Sequence, residues 1–185
     1  VGALFSEEFY KFIPRHLSDN GVFVQWVQLY EINESLVGSI LRGLTSSFSD
    51  YQAWLSNGSD LLIIATPKGK VPPVDFSKIQ DGGHLLTELK TLNIASSDQI
   101  SFRRVADARM LLGFARLYDQ LRTNSDFYPV LGLNAPRTRF KHQNADHLLE
   151  RPHQPTLMLE MLGVRAAMHS KLEPSNLNHF PAELV

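Results

Sequence analysis

The period of the apolar positions changes along this chain. Phe9, Phe12, Ile13, His16 and Leu17 share one broad helical face, with Ser6 as cap and Glu7 and Glu8 in the first turn, where carboxylates suit the helix dipole. Pro14 is expected to kink or shorten that helix. Asp19-Asn20-Gly21 turns the chain into Val22 to Tyr30, a β-branched and aromatic run read as a buried strand. Leu36, Ile40, Leu44 and Phe48, flanked by Val37 and Leu41, return to helical spacing with Asn33 as cap. Tyr51 to Leu55 and Leu61 to Thr66 read as two strands joined through Ser56-Asn57-Gly58-Ser59, where Asn-Gly provides the positive φ angles of a tight hairpin.

From Pro67 to Gly83 the chain reads as an exposed connection. Beyond it, Leu85, Leu86, Leu89 and Leu92 predict a short helix, and Val105 to Leu121 a longer one. Asn124-Ser125-Asp126-Phe127-Tyr128-Pro129 has turn chemistry. Asp146 to Leu149 and Leu157 to Leu162 offer short helices. The organisation expected is an α/β part over 1–68, a connection over 69–83, a mainly helical appendage over 84–172 and a loosely held tail over 173–185.

Composition narrows the function classes. Hydrophobic residues at 43% and charged residues at 20% describe a chain that folds, and a formal charge of −1 provides no general field toward nucleic acid or an anionic membrane. Cysteine is absent, which removes disulfides, thiolate zinc sites and a cysteine nucleophile. No apolar run approaches the roughly 20 residues of a spanning helix. The opening Val1-Gly2-Ala3-Leu4-Phe5, without initiator Met or leader, predicts a piece of a longer chain. His142, His147, His153, His169 and His179 invite a metal reading, but none shows paired spacing on a helix, so no metal is expected. Ser, His and Asp are all present without G-x-S-x-G, and Arg103, Arg104, Arg109, Arg116 and Arg122 are interleaved with Asp107 and Asp119, as on an ordinary surface.

A strand, a helix and an Asn-Gly hairpin make an incomplete architecture. Their order resembles the end of a class I methyltransferase-like (Rossmann-type) sheet, where the seventh strand folds back antiparallel between the fifth and sixth. Four blocks carry a narrower likeness: Leu4 to Tyr10, Gly21 to Glu31, Ser59 to Ala65 and Asn124 to Leu131. Together they resemble the C-terminal part of spermidine synthase-like proteins, in the bacterial branch whose members often carry a membrane-spanning N-terminal portion. The resemblance covers roughly 1–140 and rests on the blocks occurring in order.

It implies a polyamine aminopropyltransferase, with decarboxylated S-adenosylmethionine as donor substrate and a diamine such as putrescine as acceptor. An amine attacking the methylene beside a sulfonium needs carboxylates to hold the diamine and a base to keep the amine neutral. In the family those groups, and the glycine-rich turn for the adenosyl moiety, lie upstream; no G-x-G-x-x-G occurs here. The resemblance therefore implies no cofactor-binding residues in this chain and no activity in isolation. Phe127 stands where many relatives have a second Asp, which removes a carboxylate from that loop.

Ligands in open α/β sheets gather at the carboxyl ends of strands, so Gln28, Tyr30 and Glu31 are the substrate-binding candidates, with Asn124, Asp126 and Tyr128 as a lid loop. Ordinary packing, a favourable charge at a helix start and an Asx turn account for the same residues. The expected partners are an upstream half of the parent chain and a second copy through an exposed edge of Val22 to Leu29, unless the chain's own tail caps that edge. Nucleic acid and a membrane span are not expected, and the chain reads as a cytoplasmic soluble portion of a parent that can be membrane-anchored. Rival readings are a non-catalytic association module and part of an S-adenosylmethionine-dependent methyltransferase.

Overall fold

A computed structural model describes residues 2–57, 59–80, 83–92, 94, 96–101 and 103–145. The short helices proposed at 146–149 and 157–162, the tail from 173, and His147, His153, His169 and His179 lie outside the described residues. The strands are β1 (Phe23–Gln28), β2 (Asp50–Asn57), β3 (Asp60–Thr66) and β4 (Arg104–Ala106). The helices are α1 (Glu7–Phe12), α2 (Glu34–Thr45), α3 (Ser77–Gln80), α4 (His84–Thr91), α5 (Ser97–Ser101), α6 (Ala108–Leu117) and α7 (Val130–Phe140), with 3₁₀ turns at Gly2–Phe5 and Ile13–His16.

Local chemistry sets the helix starts. The Ser6 hydroxyl accepts from Phe9 N–H (3.2 Å), Asn33 Oδ1 from Leu36 N–H (3.1 Å) and Asp107 Oδ1 from Met110 N–H (2.9 Å), each satisfying an amide that has no intrahelical partner. Pro14 shortens the first helix, the chain tightening into the 3₁₀ turn that contains it.

The sheet has four strands in the order β1-β3-β2-β4, and every neighbouring pair is antiparallel. β3 thus lies between β1 and β2, which run parallel to each other and are connected through α2. The fold is a mixture of helices and an antiparallel sheet, as the α/β reading expected at that coarser level.

Two corrections concern β1 and β4. Alternation sends Phe23, Val27 and Leu29 into the core and leaves Val24 (50% exposed) and Trp26 (46%) on the opposite face, so β1 is buried on one side only. β4 forms within a stretch read as helical and pairs with Ala53 and Trp54 of β2 across a register shift. The long helix expected over 105–121 accordingly begins only at Ala108 and ends at Leu117.

One hydrophobic cluster unites the two parts of the chain. Leu36, Val37, Ile40, Leu41 and Leu44 of α2 meet Val27, Leu61, Ile63 and Ala65 from the sheet, Leu111 and Ala115 from α6, and Val130 and Leu131 from α7. Phe23 stacks on Phe48 with ring centroids 5.5 Å apart, and Tyr10 meets Phe23 edge-on at 6.1 Å. Arg42 reaches from α2 to the end of α6, where Nη1 donates to the carbonyls of Ala115 (2.7 Å) and Tyr118 (2.9 Å) and Nη2 to that of Leu121. Gly38 lets this approach happen: a Cβ there would sit 2.6 Å from the Tyr118 carbonyl oxygen.

Tyr10 is fully buried and its hydroxyl has no hydrogen-bond partner among the described residues. Burial pushes the phenol well above its ordinary value. The folded state therefore holds the neutral form, while the unfolded chain gives up the proton near pH ~10. The stability carried by neutral Tyr10 is intact below that pH and is lost as pH rises above it. Tyr10→Phe is expected to leave the melting temperature at pH 7 unchanged or raised, since an unpaired buried hydroxyl is removed, and to move alkaline unfolding to higher pH. Tyr51, shifted upward by burial and by Asp50 beside it, keeps an alkaline transition in the variant. A clear loss of stability at pH 7 would show that the hydroxyl is hydrogen-bonded.

Candidate functional site

The carboxyl end of β1 runs through Leu29-Tyr30-Glu31 into the cap of α2. Glu31 takes a left-handed conformation (φ 57°), which a non-glycine residue adopts at a cost. Both of its peptide groups are clamped: its N–H donates to Asn144 Oδ1 (3.0 Å), and its carbonyl accepts from Thr138 Oγ1 (2.8 Å). Its carboxylate pairs with Arg139 Nε (3.2 Å), a half-open contact worth less than about 1 kcal/mol. Ala145 N–H donates to the Leu29 carbonyl (2.7 Å), and Asn33 Nδ2 to Gln143 Oε1 (3.3 Å). The end of α7 and the segment after it thus close over the mouth where sequence reasoning placed a ligand.

Of the candidates on this side, Gln28 donates its side-chain amide to the Tyr30 carbonyl (3.2 Å), and Tyr30 is exposed. Asn124, Asp126 and Tyr128 form a separate group at the start of α7. Asn124 is buried: Nδ2 donates to the Gly2 carbonyl (3.0 Å), Oδ1 accepts from Leu131 N–H (2.9 Å) and its own carbonyl accepts from Glu7 N–H (2.9 Å). Asp126 N–H donates to Glu8 Oε2 (2.9 Å), which holds that carboxyl below its ordinary range. Tyr128 lies under the Arg122 guanidinium at 4.9 Å. α7 touches the first group at Thr138 and Arg139 and the second at Leu131, about 10 Å apart at 1.5 Å per residue. No hydrogen bond or ion pair joins the two groups directly among the described residues.

Sequence reasoning missed a polar groove beside this mouth, of about 250 Å³. Asn134, Arg137, Thr138 and Lys141 line it from one side of α7, facing Asn33 and Ser35 at the start of α2 and Gln120 and Leu121 beyond α6. Ser35 Oγ donates to Gln120 Oε1 across its floor (2.9 Å). Two cations and no carboxylate line it, so it repels a diamine and suits neutral or anionic groups. The i, i+3, i+4, i+7 spacing of 134, 137, 138 and 141 was the available signal, and it was hidden because that stretch did not read as a helix. Among the described residues no cluster of three ligating side chains could hold a metal ion, and no helix is long and apolar enough to cross a membrane.

No family model, curated protein or solved structure matches this chain.

Proposed function

We propose that this chain forms the closing half of a spermidine synthase-like aminopropyltransferase fold, and that its part in such an enzyme is architectural. The observation that carries the reading is the placing of β3 between the parallel, helix-connected β1 and β2, the strand order with which a methyltransferase-like sheet ends. Two further features favour it. β1 has no neighbour on its far side among the described residues, and the row Trp26, Leu62, Trp54 crosses a sheet face opposite the α2 layer. A doubly wound sheet covers both faces and adds strands at that side. The edge is thus where an upstream strand or a second copy would pair.

The chemistry fits an architectural part. Holding a diamine needs converging carboxylates, whereas Glu31 is engaged by Arg139 and the neighbouring groove is cationic. Donor and acceptor binding would then fall to upstream residues, with decarboxylated S-adenosylmethionine donating its aminopropyl group to putrescine or a similar diamine.

The test is methylthioadenosine release from decarboxylated S-adenosylmethionine. The 185-residue chain is expected to release none, and a parent chain that includes the preceding sequence to release it only with putrescine. No diamine-dependent release from a folded parent would support an association module instead, and methyl transfer from S-adenosylmethionine would make the parent a methyltransferase.

A further inference from the structure

We propose that the outward side of α7 docks on an anionic lipid bilayer surface. Val130, Leu131 and Thr138 turn inward, while Leu133, Pro136 and Phe140, spaced i, i+3 and i+7, share the opposite side. Leu133 is 69% exposed and Phe140 85%, and Phe127, in the turn leading into the helix, is 83% exposed. Rings this open are unusual on a soluble surface, and here they accompany one element.

Charge and shape together choose the partner. From Pro129 to Ala145 the chain carries Arg137, Arg139 and Lys141 and no Asp or Glu. Arg139, on one side of the ridge, is paired with Glu31, whereas Arg137 and Lys141, on the other side where they border the groove, are exposed, and these two complement an anionic surface. The apolar side chains stand on a convex helix rather than in a groove, so a protein partner would need a matching cleft, whereas a bilayer interface deforms around a ridge. Large apolar side chains beside Lys and Arg are what an interfacial helix uses, with its axis in the plane of the headgroups. The contact is peripheral and does not depend on the aminopropyltransferase reading.

The experiment is co-sedimentation of the whole chain with phosphatidylcholine vesicles, with and without added phosphatidylserine. Binding is expected to be about tenfold tighter to the anionic vesicles and to weaken with salt. Leu133→Ser with Phe140→Ser is expected to lower it about tenfold or more, because the apolar contribution is lost. Arg137→Glu with Lys141→Glu is expected to remove the preference for phosphatidylserine. All four positions are surface positions, so unchanged thermal melting of both variants is the control for folding. Equal sedimentation with both vesicle types, or binding indifferent to the serine variant, overturns the proposal. So does a dimer that the serine variant disperses, which would give the face to a second copy. Equal binding to soluble polyglutamate that survives the serine variant would assign an acidic polypeptide and overturn it as well.

Discussion

Arg42→Ala is expected to lower folding stability by about 3 kcal/mol, because it strands carbonyls that the guanidinium now satisfies together. The side chain donates to Ala115, Tyr118 and Leu121, the carbonyls at and just beyond the end of α6, and so acts as a C-terminal cap supplied by another helix. The site is part-buried and water replaces some of what is lost, which keeps the cost below the full desolvation of three groups. Arg42→Lys should recover only part of the loss, since an ammonium cannot span carbonyls that the planar fork reaches at once. Urea unfolding of the two variants checks this. A loss under about 1 kcal/mol for the alanine variant would mean that the α6 end is held by packing alone.

The second large effect is expected at Asn124. Asn124→Ala should cost about 2–4 kcal/mol, since it leaves a buried amide and a carbonyl without their partners. Asn124 joins three segments: its side chain holds the Gly2 carbonyl and the Leu131 amide, and its backbone receives Glu7 N–H. Asn124→Asp separates geometry from charge. It keeps an acceptor for Leu131 N–H but sets a carboxylate against the Gly2 carbonyl in a site closed to water, so it should be no better than alanine at neutral pH. An aspartate variant as stable as the parent would show that the Gly2 contact contributes nothing.

What was legible in the sequence is what acts over a few residues. The caps at Ser6 and Asn33 bond to amides three positions on, and β2 and β3 pair as neighbours in the chain, although Asn57 belongs to the ladder, paired with Asp60, and does not take the positive φ expected of it. β4 was not legible because three residues are too few to show alternation, and its pairing is set by Ala53 and Trp54, far away in the chain. α7 was hidden for a different reason. Its apolar residues lie on both sides of the helix, which erases the period, and Gly132 and Pro136 read as breakers. Pro136 is tolerated because it faces solvent, and the acceptor it leaves free, on exposed Gly132, stays open to water.

The candidate site divides along the same line. Gln28, Tyr30 and Glu31 do lie at the carboxyl end of β1, as strand direction required. That this mouth is covered depends on Thr138 and Asn144, more than a hundred residues away, which no local pattern discloses. Asn124 looked like a surface turn residue because a polar side chain in a turn usually is one. Its burial follows from the return of Gly2–Phe5 to the start of α7.

The two margins of the sheet are unlike, and this bears on how many copies can assemble. β4 is three residues long, carries Arg104 and meets its neighbour through an irregular register, all features that discourage further pairing. β1 is six residues long, regular and uncharged. Leu29 N–H donates to Ser59 O, so the amides of Val24, Trp26 and Gln28 point the other way, and among the described residues only the carbonyl of Trp26 is masked there, by the Gln25 side chain. Should two such chains pair strand to strand about a twofold axis, both permissive margins are consumed and the outer limits of the joint sheet are the two guarded ones. Growth by that route terminates at two, with no free end from which a fibril could lengthen.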